Sequence, residues 1–453
     1  MNSFFFYDLE TSGLNPRFDR IMQFAGIRTD ENLKQIGGPI NILVKLSEDI
    51  LPSPEALLVT GITPQKTISE GISEHEFARF LTDKVFTPNT VMIGYNNISF
   101  DDEFVRHTLW RNFHDPYEWS WSMGRSRWDL LDIVRLTRAL RPEDINWPTI
   151  NGKSVNKLEL LAKENNIEQE HAHDALSDVE ALIGLTKMIR NKQPRLFEYL
   201  FKMRNKNEIA KLINLNEPKP FVFINGRSNY PEKATVGFPI APGNKPNSTL
   251  IYDLRVDPNS IDFKNISSES IWKDLPIQEL MYNRCPAVAP LSVLDDKSQK
   301  RLELPLSMVH ENIDKLIKNQ STVDKLVDIW RKRPDYPKAN DVEAQLYEGF
   351  TIEEDKPLIK SVRESSAEQL ADFHPVFKDE RLDNLLLRYK AREFPESLSE
   401  DEQKIWQQYI LDKYQKQLPI LNGKLIELSK SSKNQFILDE INLWLEANMP
   451  IND

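Results

Sequence analysis

Near its start the chain reads SFFFYDLETSG, residues 3–13, and no other stretch restricts the fold so tightly. Four consecutive aromatics, Phe4 to Tyr7, ask for a buried strand. Two carboxylates, Asp8 and Glu10, follow at once, and burying an unpaired carboxylate is expensive. Side chains alternate along a strand, so Asp8 and Glu10 share one face while Leu9 points to the other. Side by side, the two acids repel. An arginine, a divalent cation between them, or water at a strand end would each relieve that repulsion. Taken alone, the pair reads as a solvated strand edge, with Thr11, Ser12 and Gly13 forming the turn that follows.

The surrounding sequence alternates strand and helix signals up to about Gln193. IMQFAGIRTD, INILVKL and TVMIGYN read as short strands. EHEFARFLTDKVF, RWDLLDIVRLTRAL, NKLELLAKENNI and HDALSDVEALIGLTKMIRN carry helical periodicity. That mixture predicts an α/β domain. Beyond RNKQPRL and one more helix, the runs KPFVFING, ATVGFPIAP and TLIYDLRVDP are short strands broken by Pro, Gly and Asn, the pattern of a small β barrel or sheet. A helical stretch, MVHENIDKLIKNQSTVDKLVDIWRKR, follows, and from about Glu348 the chain reads as helices.

Length and composition narrow the class. A chain of 453 residues has room for two to four domains. No apolar run approaches the roughly 20 residues of a membrane span, and no secretory signal is visible. Cys285 is the single cysteine, so no internal disulfide forms, and the cytoplasm is the expected compartment. A net charge of −11 argues against a nucleic-acid partner, but its distribution argues for one. Between Arg106 and Arg141 stand seven arginines, no lysine and four acids; between Arg190 and Lys211 stand seven basic residues and two acids. Arginine without lysine points to planar, bidentate recognition of phosphate or carboxylate, against the plainer reading of solvated helix faces.

Two further stretches carry potential chemistry. In GYNNISFDDEF a strand runs through Asn96 and Asn97 into Asp101 and Asp102 at an apparent helix start, where capping and dipole effects alone would explain the acids. In HAHDALSDVEAL, His171 and His173 precede a helix that contains Asp178. Asp174 lies four residues before Asp178 and competes with it on periodicity, although it reads as a helix-start acid.

In this order and spacing, Asp8 and Glu10, an Asp at a middle helix, then His and Asp five residues apart resemble the histidine subtype of the DEDD exonuclease superfamily. The segments GYNNISFDDEFVRHTLWRNFHDPYEWSW, SRWDLLDIVRLTRALRPEDINWP, HDALSDVEA, QPRLFEYLF, NDVEAQLYEGF and RLDNLLLRYKAREFP are similar to bacterial exonuclease I. The resemblance implies an α/β multidomain fold. A ribonuclease H-like exonuclease domain with a mixed sheet would occupy 1–193, an SH3-like β barrel 194–345 and a helical C-terminal domain 348–453. It also implies removal of mononucleotides from the 3′ end of single-stranded DNA, in repair and recombination, with two Mg²⁺ ions or Mn²⁺ in their place. Asp8, Glu10, Asp101 and Asp178 would be the metal ligands and His173 the general base. The family pattern selects Asp101 over Asp102, and the spacing to Asp178 selects His173 over His171. Four acids and no cysteine cluster suit hard cations rather than zinc.

The same resemblance places Arg106, Trp121, Arg135, Lys157, Lys206 and Asn247 on the DNA, with Glu10 also touching substrate. Core packing is the alternative for Trp121. Lys157 stands where the family usually has arginine, so a bidentate phosphate contact becomes a point-charge one. The family further binds the acidic tail of single-strand-binding protein, and Arg141 and Tyr199 match that groove. Pro290 and Asp295 replace an expected Gln and Arg, which alters those contacts, and an aspartate there would repel an acidic peptide. A monomer with no membrane contact is expected. A DEDD ribonuclease is the nearest rival, but such chains are typically single domains, and about 250 residues here follow Gln193. A non-catalytic binding module is the alternative from another class.

Overall fold

The computed structural model describes residues 3–169, 174–263, 275–333, 337–432 and 434–450. Its first sheet contains β1 (Ser3–Thr11), β2 (Ile21–Thr29), β3 (Ile40–Leu43), β4 (Thr90–Gly94) and β5 (Ser126–Asp129), in the order β3-β2-β1-β4-β5. β1 runs antiparallel to β2 and parallel to β4, and β4 runs parallel to β5, giving the mixed sheet expected from the sequence. The aromatic run explains why β1 is central. Phe4 and Phe6 enter one core with Trp128, while Phe5, Tyr7 and Leu9 enter another with Phe24 and Phe77. A strand that feeds two cores must be covered on both faces.

The helices that cover it are, first, α1 (Pro54–Thr60), α2 (Pro64–Glu70), α3 (Glu74–Phe80) and α4 (Asp101–Arg111). Then come α5 (Leu130–Leu140), the hairpin β6 (Thr149–Ile150) and β7 (Lys153–Ser154), α6 (Leu158–Glu164) and α7 (Ala175–Lys192). The run RWDLLDIVRLTRAL, read as one helix from sequence, is divided. Arg127 and Trp128 pair with Met92 and Ile93 of β4, and Asp129 then caps α5 by accepting the Leu131 N–H at 3.0 Å. Pairing with a central strand outweighs the local helical pattern there.

α8 (Pro194–Lys202) lays Phe197 and Phe201 on Trp128, and α9 (Lys206–Leu212) leads into a second sheet. Its strands β8 (Phe221–Ile224), β9 (Ala234–Pro242), β10 (Ser248–Asp253), β11 (Ile277–Met281) and β12 (Val288–Pro290) are antiparallel, in the order β11-β10-β9-β8-β12. Val222 and Val236 of this sheet share a core with Leu136 and Leu140 of α5, so the barrel is packed onto the first domain. α10 (Asp296–Leu302), α11 (Leu306–Lys318) and α12 (Gln320–Arg331) follow.

The C-terminal part is helical: α13 (Lys356–Glu364), α14 (Ala367–Ala371), α15 (Arg381–Glu393), α16 (Glu400–Ser429) and α17 (Gln435–Ala447). Trp406, Ile441 and Trp444 pack on Leu57 and Ile62 of the first domain. A buried ion network ties the two parts together. Glu343 takes Arg20 at 2.6 Å, Arg392 at 2.5 Å and Arg388 at 3.4 Å, while Asp49 takes Arg392 at 2.8 Å and Lys413 at 3.2 Å. Among the described residues no helix is long and apolar enough to cross a membrane.

Candidate active site

Alternation along β1 puts Asp8 and Glu10 on the face of Phe4 and Phe6, the face that α7 covers. Asp174 opens α7 as its N-cap, accepting the Ser177 N–H at 3.2 Å, and so acts as the helix-start acid expected of it. One turn later Asp178 faces the strand. Carboxylate oxygens of Asp8, Glu10 and Asp178 all lie within 4.8 Å of one another. Asp101, at the first position of α4, is buried beside them and accepts the backbone N–H of Leu9, between the two strand acids. It stands just outside that closest group of three.

The choice between Asp101 and Asp102 follows from their partners. Asp102 is fully buried and bound by the Tyr7 hydroxyl, the Arg127 guanidinium and, at 3.2 Å, the Asn97 amide. Its charge is answered inside the protein. Among the described residues no lysine or arginine forms an ion pair with Asp8, Glu10 or Asp101. Gln169 donates to Asp178 at 2.5 Å. His171 and His173 lie outside the described residues.

The crowding shows in the electrostatics. Burial first, then the charges of Asp101, Glu10 and Asp178, push the Asp8 carboxyl well above the usual carboxylate range. Burial, then Asp178 and Asp101, push Glu10 up to about 8. Asp101 is raised too, by burial and then by Asp102. These crowded acids, of which Asp8, Glu10 and Asp101 meet no lysine or arginine among the described residues, form an oxygen donor set that fits hard divalent cations.

A cleft of about 870 Å³ brings together four of the sequence candidates, Arg106, Trp121, Lys206 and Asn247. Trp121 is 65% exposed there, which rejects the core-packing alternative. Arg106 is held by Glu103 at 2.8 Å and by the Tyr347 hydroxyl at 3.3 Å. The sequence reading assigned no role to Lys202, Arg204 or Phe350, which also line this cleft. The first two belong to the basic run from Arg190 to Lys211, so a signal existed. Phe350, 82% exposed, closes the segment NDVEAQLYEGF, which the sequence marks by resemblance alone.

Arg135 and Lys157 do not line this cleft. Arg135 pairs with Asp132 at 2.7 Å on α5, and Lys157 lies 3.3 Å from Glu159 at the start of α6. Tyr95 connects their surroundings: its hydroxyl donates to the carbonyl of Asn156 at 2.5 Å, and the Arg135 and Asp129 charges both act on it. Arg141 donates to the Val293 carbonyl at 3.2 Å and stands 3.8 Å from Asp295, which caps α10 through Ser298. Tyr199 is half-buried against two cores. Pro290 ends β12 opposite Phe221.

The arginine-rich stretch from 106 to 141 is mostly committed inward. Arg111 pairs with Glu74, Arg127 with Asp102, Arg135 with Asp132 and Arg138 with Glu232, while Arg125 donates to three carbonyls. Of the two acceptors that the sequence allowed, carboxylate therefore accounts for most of it. The planar fork suits either.

Comparison with known proteins covers the whole chain. Three protein-family models match: Exonuclease over residues 5–186, Exonuclease I SH3-like domain over 204–332, and Exonuclease I C-terminal domain over 340–448. Exodeoxyribonuclease I of Haemophilus influenzae is 40% identical over 433 residues, covering 91% of this chain and 91% of that protein. The crystal structure of Escherichia coli exonuclease I in complex with a dA16 oligonucleotide superposes with a TM-score of 0.94 at 34% identity, covering 99% of this chain and 100% of that one. The zinc-ion-bound form of the E. coli exonuclease I complex with single-stranded DNA superposes at 0.93 and 34%, covering 99% of each chain.

Proposed function

The chain belongs to the exonuclease I family, and from that premise we propose that it removes 5′-mononucleotides from the 3′ end of single-stranded DNA, in repair and recombination. One observation carries the reading. A cluster of carboxylates, Asp8, Glu10 and Asp178 with Asp101 beside them, accompanies a cleft lined by an exposed tryptophan and basic side chains. Single-stranded DNA is held by phosphate contacts and by bases stacked on aromatic faces.

Asp8, Glu10, Asp101 and Asp178 would hold two divalent cations, Mg²⁺ or Mn²⁺ in its place. Bound there, the cations would supply charge neutralisation for the attacking and leaving oxygens of the phosphodiester. The chain's own residues do the rest. His173 would accept the proton of the attacking water, a role suited to an imidazole titrating near neutrality. Trp121 would stack a base, with Arg106, Lys206 and Asn247 along the backbone. Arg135 and Lys157 would act beside Tyr95 rather than in the cleft, and the divisions at 1–193, 194–345 and 348–453 belong to the same reading.

Docking of the acidic tail of single-strand-binding protein at Arg141 and Tyr199 is part of the proposal, with altered contacts. Asp295, 3.8 Å from Arg141, offsets part of the charge that an acidic tail would meet. The deciding experiment incubates the protein with Mg²⁺ and end-labelled single-stranded DNA, duplex DNA or RNA, beside Asp178→Ala. Mononucleotides released from single-stranded DNA alone support the reading. A preference for RNA would sink it, and binding without hydrolysis would favour a non-catalytic module.

A further inference from the structure

Helix α5 carries Arg135 and Arg138 three residues apart, so both face the barrel turn that runs from Asn225 to Lys233. Arg138 is answered there: its Nε lies 3.1 Å from Glu232, which also accepts the Ser154 hydroxyl at 2.6 Å. Arg135 is not answered in the same way. The residue that the turn sets beside it is Lys233, a second cation from a different part of the chain.

Several observations place the two together. A Cβ added at Gly226, in the same turn, would lie 3.2 Å from Arg135 Nη1. The Lys233 ammonium is held below its usual range by burial and then by the Arg135 charge, with Asp132 opposing. Asp132 takes one N–H of Arg135 at 2.7 Å, and the buried Arg135 Nε has no hydrogen-bond partner among the described residues. Lys233 Nζ donates to the carbonyls of Gly226 at 2.8 Å and Ser228 at 3.2 Å. An ammonium has three donors, so one remains. Glu232 and Lys233 both adopt positive φ, 52° and 57°, a conformation that bulky residues avoid unless their surroundings impose it. Arg138 and Ser154 hold the Glu232 carboxylate, and Gly226 and Ser228 hold the Lys233 ammonium, in this turn.

We infer that Lys233 and Arg135 grip one backbone phosphate of the DNA between the barrel and α5, an inference that rests on the nuclease reading above. Arg135 Nε and the third N–H of Lys233 are left for an acceptor, and a phosphodiester supplies one negative charge with several acceptor oxygens. Arg135 offers planar donors to it and Lys233 a point charge. Closing the turn would need only the two carbonyl bonds, with no cation opposite.

The test walks a single neutral methylphosphonate along a single-stranded oligonucleotide and measures binding in chelator, where no hydrolysis occurs. Lys233→Gln is expected to bind the all-phosphate strand about fivefold more weakly, with a log–log salt slope shallower by about 0.7. At one linkage position the methylphosphonate should cost the wild type about fivefold and the variant nothing further. Lys233→Arg should recover the affinity, and Lys233→Met, which keeps the aliphatic stem, should behave as Lys233→Gln does. Under turnover with Mg²⁺, KM should rise by more than kcat falls. Wild-type affinity in Lys233→Gln, or losses that add at every linkage, would overturn the contact. If free mononucleotide or inorganic phosphate relieves the difference between the two proteins at millimolar concentration, the site holds product rather than strand, and the inference fails. A wild type that neither binds nor degrades single-stranded DNA would instead refute the nuclease reading itself.

Discussion

Two groups of buried acids flank the end of β1, and the chain treats them differently. Asp49, Glu74 and Glu343 lie at the junction with the C-terminal helices. Arg392 and Lys413 hold Asp49, Arg111 holds Glu74 at 2.6 Å, and Arg20, Arg388 and Arg392 hold Glu343. Burial alone would raise all three carboxyls, yet the arginines keep them below the usual range. Asp8, Glu10 and Asp101 are crowded by burial and by one another, and their carboxyls move the opposite way. Residue type and burial are shared, so neither sets the sign; the counter-charge does. Where the chain supplies the cation, the acid joins domains. Where the described residues supply none, the carboxyls stay raised.

The most severe way to probe the difference is to neutralise one acid in each group. Glu10→Gln should lower single-stranded DNA hydrolysis by about 10³-fold or more, measured as mononucleotide release. In chelator the same variant should melt about 2–4 °C higher than wild type, because an unanswered repulsion is gone. Glu343→Gln should do the reverse: it leaves three guanidiniums facing a neutral amide and costs about 3–5 kcal/mol in urea unfolding, while the folded fraction keeps its turnover. If both substitutions destabilised the protein equally, the distinction between the groups would collapse.

Protons and cations offer a gentler version. Asp49, Glu74 and Glu343 have folded-state carboxyls below their unfolded values, so their stabilisation is complete above about pH 4 and is lost as pH falls through the depressed values. Wild type should therefore lose stability steeply below about pH 4, and Glu343→Gln should lose less over that interval. Saturating Mg²⁺ should stabilise wild type by about 2–3 kcal/mol over chelator, and this gain should be absent in Glu10→Gln and intact in Glu343→Gln. A Mg²⁺ effect of equal size in all three proteins would place the cation elsewhere.

The two groups also differ in how far the sequence disclosed them. β1 alternation sets Asp8 and Glu10 on one face, but their grouping with Asp101 and Asp178 was legible only through the resemblance to the DEDD pattern. The network was not, since Asp49 and Arg392 are 343 residues apart and no local pattern links them. For the same reason no local pattern links Phe350 to Trp121 in the cleft, although its segment carries the family resemblance. The run RWDLLDIVRLTRAL misled on its first residues because its helical periodicity is real, and only pairing with β4 assigns Arg127 and Trp128 to a strand. Asp102 and Asp101 are adjacent and chemically identical. Sequence separated them only by resemblance, whereas Tyr7 and Arg127 separate them physically.

Arg141 and Asp295 supply a third, exposed version of an answered acid, and the smallest expected effect. Their side chains are 37% and 53% exposed and 3.8 Å apart. Ser298 first, through its hydroxyl and N–H, holds the Asp295 carboxyl below its usual range, with Arg141 contributing less. At such exposure water already screens the pair, so Asp295→Ala should change stability by less than about 1 kcal/mol, most of it from the lost cap of α10. Asp295→Ser keeps a cap and removes only the charge, so it should be closer to neutral. Both should release Arg141 toward an acidic peptide and tighten its binding by about twofold to fivefold at low salt, measured by fluorescence anisotropy. The gain should disappear in Arg141→Ala. If it persists without Arg141, Asp295 acts on the peptide directly by repulsion, and the pair belongs with neither group of buried acids.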